Sequence, residues 1–117
     1  MSQSGKAHRP LTAATFHILL SLMQQPAHGY HIKRMVEERT NGAVQLGAGT
    51  LYAGIQRMQR EGLIEEIDAP QDAGEAEPGT RWRFYAITAV GRGVLEAEIA
   101  RIEADLAAAR AIVHRPA

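Results

Sequence analysis

The sequence predicts a mainly α-helical domain with a small β-hairpin and one long C-terminal helix. Three observations carry this. Apolar residues recur at helical spacing in successive stretches of the chain. Two short strand-like runs, the second rich in aromatic and β-branched residues, flank a loop of Pro, Gly and acids. The final helical stretch repeats its apolar residues in alternating steps of about four and three, the seam of a helix that needs a partner helix. At 117 residues, 45% hydrophobic and 22% charged, the chain suits one domain with its own core.

Phe16, Leu19, Leu20 and Met23 follow the i, i+3, i+4, i+7 pattern of a first helix, with Thr12 as its N-cap and Gln25-Pro26 as its stop. A second helix is expected over 28–40, with Ile32, Met35 and Val36 inward. Asn41-Gly42 then ends it, because both residues tolerate positive φ. Val44 and Leu46 alternate around Gln45, enough for a minimal strand. Gly47-Ala48-Gly49-Thr50 opens a third helix with Leu51, Ile55 and Met58 at its core, and Gly62 closes it. Strands are expected over 63–67 and 82–87, joined by a mobile loop over 68–80 that is almost without apolar side chains. Thr88 caps the last helix, which runs to about Val113 with Leu95, Ile99, Ile102, Leu106, Ala109 and Val113 along one edge. That edge is read as a dimer contact; its other use is packing back onto the first helix.

Charge and composition exclude several function classes. Thirteen Lys and Arg balance thirteen Asp and Glu, so the chain is neither a polycationic tail nor a polyacid. The distribution is uneven: residues 1–62 hold seven cations and three acids, whereas 63–80 hold six acids and no base. Without cysteine there is no disulfide scaffold, all-cysteine zinc site or cysteine nucleophile. No apolar run approaches the ~20 residues that span a bilayer, and residues 1–10 lack the apolar core of a secretory signal. A cytoplasmic protein is expected. No nucleophile elbow or paired-carboxylate site is present, and Gly47-Ala48-Gly49 is too short for a dinucleotide loop. The reading is non-catalytic, without cofactor or metal.

Three helices followed by a hairpin is the order of a winged helix-turn-helix domain. Its expected divisions are a flexible N-terminal arm over 1–10, the DNA-binding domain over 11–88 and a C-terminal dimerisation helix over 89–117. Local motifs coincide with that order: His28-Gly29-Tyr30, Leu46-Gly47-Ala48-Gly49-Thr50-Leu51-Tyr52, Glu61-Gly62-Leu63-Ile64, and Arg83-Phe84-Tyr85-Ala86-Ile87-Thr88-Ala89-Val90-Gly91. Together they closely resemble the PadR family of transcriptional regulators, over roughly 11–111, in its short subgroup with a single C-terminal helix. The resemblance implies a cytosolic repressor that binds double-stranded DNA as a homodimer. It also implies a small aromatic or drug-like effector near the dimer interface. The sequence departs from the family pattern at Ala53-Gly54, where proline often follows the tyrosine, at Ala86, where many relatives are basic, and in its acidic wing loop.

At ~100° per residue, the third helix sets Gly49, Ala53, Gln56, Arg57 and Arg60 opposite its core. Small residues admit a groove wall, Gln56 can pair with adenine, and Arg57 can meet guanine or phosphate. The free N–H groups of the helix start, with Thr50 and Tyr52, suit a phosphate. Tyr52 can equally pack its ring beside the core. Lys33 and Arg34 can touch flanking phosphates or form a solvated face. Arg81 and Arg83 on the wing can lie along DNA or pair with Glu65 and Glu66. His28 and His31 have a metal-compatible spacing but no third ligand, so a helix-start role for His28 and a polar-surface role for His17 and His31 are favoured. Trp82 could stack on the implied aromatic effector, but its place on a wing strand beside the loop favours core or hairpin packing. The alternative function is a winged-helix protein-interaction module that does not bind DNA, to which the acidic wing lends support.

Overall fold

A computed structural model of the chain describes residues 9–70 and 83–116. The expected arm, apart from Arg9 and Pro10, and most of the wing loop with Arg81 and Trp82 lie outside the described residues. The elements run α1 (Ala13–Gln24), β1 (Ala27–His28), α2 (Gly29–Arg39), α3 (Ala48–Arg60), β2 (Ile64–Ile67), β3 (Phe84–Ile87) and α4 (Ala89–Val113).

Helix boundaries follow local chemistry. Thr12 caps α1 by accepting the Thr15 N–H at 3.1 Å, and the extended Gln25 ahead of Pro26 ends it. His28 caps α2 in the same manner, its Nδ1 accepting the His31 N–H at 3.2 Å. Asn41 (φ 52) and Gly42 (φ 80) turn the chain out of α2 in left-handed conformations. Gly62 (φ 77) does so after α3, and the Leu63 N–H closes that end on the Met58 carbonyl at 2.9 Å.

The small sheet has the order β1-β3-β2, antiparallel throughout, with Ile64 opposite Ile87 and Ala27 opposite Tyr85. Here the expectation is corrected. Val44 and Leu46 form no strand, because the Thr40 hydroxyl takes the Val44 N–H at 3.1 Å and leaves that segment a turn. Leu46 drops into the core instead. The third strand is Ala27–His28, which carries no alternating pattern and is held extended by Pro26 before it and the helix cap within it.

Ile18, Leu19 and Leu22 of α1, Ile32 and Val36 of α2, and Leu51, Ile55 and Met58 of α3 meet Leu63, Ile64, Tyr85 and Leu95 in one core. The α1 face is centred on Ile18 and Leu22 rather than on Phe16, Leu20 and Met23, which are partly buried. This helix is apolar nearly all round, so spacing alone does not locate its inner edge. Leu95 is the last apolar residue of α4 to reach the core. Beyond it Ile99, Ile102, Leu106 and Val113 are 38%, 39%, 47% and 74% exposed, and Ala109 is exposed with them.

Two glycines permit close approaches that position α3. A Cβ on Gly29 would lie 2.6 Å from the Tyr52 hydroxyl, so the α3 tyrosine packs on the first turn of α2. A Cβ on Gly91 would overlap the Leu63 carbonyl oxygen, so α4 starts directly against the bend that follows α3.

Candidate nucleic-acid interface

With Leu51, Ile55 and Met58 inward, the other face of α3 presents Gly49, Thr50, Tyr52, Ala53, Gln56, Arg57 and Arg60, all exposed. The residues expected on this face are therefore brought together by one helix. Gly49 has open space around its missing Cβ, leaving the first turn accessible. Helices α1, α2 and α4 each have a side-chain N-cap, whereas α3 begins at Gly47 with none. Its first N–H groups are thus left for water or an anion, at the positive end of the helix dipole.

Tyr52 is half-exposed and its hydroxyl lies over Gly29, so the ring packs on the first turn of α2 while part of it stays open to solvent. Tyr30, 60% exposed on the first turn of α2, is an aromatic residue of this region that sequence reasoning passed over. Its ring stacks parallel to that of His28, which in turn meets Phe84 edge-on at 5.2 Å. The motif His28-Gly29-Tyr30 carries this residue, but a helix start accounts for that motif without assigning the tyrosine ring.

The cations differ in how they are held. Lys33 pairs with Glu37 at 2.9 Å and Arg34 with Glu38 at 3.5 Å, both one turn apart along α2. Such pairs contribute only a few tenths of a kcal/mol, so either cation is readily given up to a phosphate. Arg83 stands 3.9 Å from Glu66 across the β2–β3 ladder, both exposed. Arg57 is tethered: its Nη2 donates to the Thr15 hydroxyl on α1 at 2.6 Å. Arg60 extends from the last turn of α3.

Two polar clusters away from this face carry no periodic signal, one half-buried between α1 and α2 and one centred on the buried Glu98 of α4. Arg39 donates to His17 Nδ1 at 3.2 Å, to the Ser21 hydroxyl at 2.8 Å and to Gln24 at 3.1 Å, tying the end of α2 to α1. His17 is therefore part of a half-buried junction, not of the open surface. Burial, and then the Arg39 charge, hold its pKa below the ordinary histidine value. Burial and the neighbouring His31 lower that of His28, which fits a neutral ring whose Nδ1 accepts the cap bond. Glu98, only 2% exposed, accepts two bonds from Arg101 at 2.6 and 3.0 Å and the Leu11 N–H at 3.3 Å. Hydrogen bonding to Glu98 is the main cause of a raised Arg101 pKa. Among the described residues no group of three His, Asp or Glu converges on a metal-sized space. No described helix is long and apolar enough to cross a membrane.

A family model, the transcriptional regulator PadR-like family, matches residues 18–97. An uncharacterized protein, protein X of Lysinibacillus sphaericus, is 31% identical over 78 residues, 67% of either chain. Among solved structures, a PadR family transcription regulator from hypervirulent Clostridium difficile R20291 is 25% identical with a TM-score of 0.63, over 86% of this chain and 95% of that one. A transcriptional regulator from Clostridium thermocellum shares the fold with a TM-score of 0.69 at 21% identity, over 83% of this chain and 86% of that one. The four helices, the three-stranded sheet and the long last helix match those structures. With the family match spanning most of the chain, the protein belongs to the PadR-like family of transcriptional regulators, a winged helix-turn-helix DNA-binding family.

Proposed function

We propose that the chain is a dimeric repressor that occupies a palindromic operator. In this reading residues 11–88 bind DNA and 89–117 pair two copies. The observation that carries it is the exposed, uncapped α3, with Gln56 and Arg57 one turn beyond Ala53 and the open Gly49. Gln56 reads a base edge; Thr50, Tyr52, Arg57 and Arg60 meet the backbone or a base; Lys33, Arg34, Arg81 and Arg83 flank them on phosphates. The seam Leu95, Ile99, Ile102, Leu106, Ala109 and Val113 pairs with its copy about a twofold axis. That sets two recognition helices about one DNA turn apart. A small aromatic effector at the seam lowers affinity a hundredfold if it binds the released state ~2.7 kcal/mol more tightly.

The test is binding to the protein's own promoter-region duplex and to an unrelated duplex across a salt series. Specific binding with log affinity falling near −0.9 per phosphate neutralised supports the reading. Equal, feeble binding to both duplexes overturns it. The second reading, a protein-interaction module, draws on the exposed Glu65 and Glu66 of β2 and the Arg83–Glu66 pair beside them. Replacing Gln56 and Arg57 together abolishes DNA binding under the first reading and leaves partner binding untouched under the second.

A further inference from the structure

The tether on Arg57 separates two roles that the α3 face otherwise leaves merged. Thr15 is 5% exposed, on the side of α1 that packs toward α3, and its hydroxyl accepts from Arg57 Nη2 at 2.6 Å. It also accepts from the Thr12 hydroxyl at 3.0 Å, while the Thr15 N–H is fixed on Thr12 at 3.1 Å. The acceptor is thus immobilised by the N-cap of α1. A guanidinium bonded to a buried atom of the neighbouring helix lies back along the body of the domain. To reach base edges on a groove floor it must point outward from α3, which breaks that bond. Gln56, its neighbour on the exposed face, has no such restraint among the described residues.

We infer that Arg57 is a phosphate clamp and not a base reader, and that Thr15 is the positioning residue that holds its guanidinium at the groove wall. This rests on the DNA-binding reading above. It divides the labour on α3: charge is fixed beside the helix by α1, and sequence discrimination falls to Gln56 and the small residues before it. A pre-positioned guanidinium gives up little side-chain freedom when it meets a phosphate. Its contribution is therefore the same on every sequence.

The test compares Arg57→Ala, Arg57→Lys, Thr15→Val and Thr15→Ser in the full chain, on the promoter duplex, on the same duplex with single base-pair changes, and on an unrelated duplex. Valine keeps the shape of Thr15 and leaves the Thr12 cap bond to the backbone intact. Arg57→Ala is expected to weaken all duplexes by one common factor and to reduce the salt slope by about 1. Thr15→Val should weaken them all in the same proportion to one another, add nothing when combined with Arg57→Ala, and be rescued by Thr15→Ser. Arg57→Lys, a point charge without a bidentate fork, should keep the salt slope. Without DNA, the Arg57 guanidinium proton signals should be slowed in exchange in the wild type and lose that protection in Thr15→Val. The inference is overturned if Arg57→Ala or Arg57→Lys changes preference at one base pair, or if the proton signals are unprotected in the wild type. If the promoter duplex is bound no better than the unrelated one, the operator reading fails. The clamp is still judged on the unrelated duplex, where a slope unchanged by Arg57→Ala refutes it.

Discussion

Gly91→Ala tests whether the start of α4 is rigidly seated on the end of α3. The new methyl would overlap the Leu63 carbonyl oxygen and come within 2.9 Å of Ile87 Cγ1. Neither the carbonyl nor the helix backbone can step aside alone. Thr88 N–H donates to that carbonyl at 3.0 Å, and the Thr88 hydroxyl donates to Gly62 O at 2.6 Å. Overpacking costs about 1–3 kcal/mol, and each hydrogen bond lost about 1, against about 1 gained by exchanging glycine for alanine in a helix. The net is a loss of about 2–4 kcal/mol, or roughly 8–16 °C in melting temperature at about 4 °C per kcal/mol. Gly93→Ala, one residue pair further along the same helix and with nothing within 4 Å, is the control and should melt a few degrees higher than wild type. Circular-dichroism melts at one fixed protein concentration read both, since self-association moves the midpoint. A Gly91→Ala protein that melts with or above the wild type refutes the argument.

At Gly54, inside α3, an added Cβ meets Ile18 Cδ1 at 3.6 Å and Met58 Cε at 3.7 Å, ordinary contacts, so Gly54→Ala should raise stability by up to about 1 kcal/mol in urea titration; a fall would show that the α1–α3 contact is tighter than these distances imply. If the exposed edge of α4 pairs two copies as proposed, Leu106→Glu should leave the helical circular-dichroism signal intact while sedimentation shifts from dimer to monomer; a retained dimer removes the seam from the interface. For His17 the folded pKa lies below the unfolded one, so its contribution is fully present above the ordinary value of about 6.5 and is lost as pH falls from there through the lower folded value. The urea midpoint should therefore drop between pH 7 and 5, and drop less in His17→Asn; part of the slope persists because His28 is depressed in the same direction.

What the sequence made legible was whatever a local physical rule determines. Thr12 and Thr88 cap helices because a hydroxyl at that place has a free N–H to accept. Asn41, Gly42 and Gly62 end them because positive φ costs them little. The outward face of α3 followed from the burial of Leu51, Ile55 and Met58 at helical spacing. Long-range polar contacts were not legible. Thr15 and Arg57 are 42 positions apart, and Leu11 and Glu98 are 87 apart, so no periodicity links them. Arg101 was legible only as the partner of Asp105, one turn on, where it bonds at 2.8 Å; its shorter bond goes to buried Glu98. Strand β1 escaped because two residues make no pattern, and their pairing with Tyr85 and Phe84 is decided by β3.

The same long-range contacts determine how α4 is coupled to α3. At Gly91 the helix abuts the bend after α3, and seven residues later Glu98 takes the Leu11 N–H ahead of α1 while Arg101 clamps the carboxylate. These two grips lie about 10 Å apart along the helix at ~1.5 Å per residue, so the first turns of α4 cannot tilt without carrying α1 and the end of α3. From Ile99 to Val113 the helix is exposed apart from the half-buried Arg101, an arm of roughly 22 Å. In a dimer, a tilt of about 10° between two such arms displaces the domain at the base by about 4 Å, close to the ~3.4 Å separation of successive base pairs. Under the dimeric operator reading proposed above, a ligand at the seam would need only a small change of helix angle to take one recognition helix out of register with its half-site.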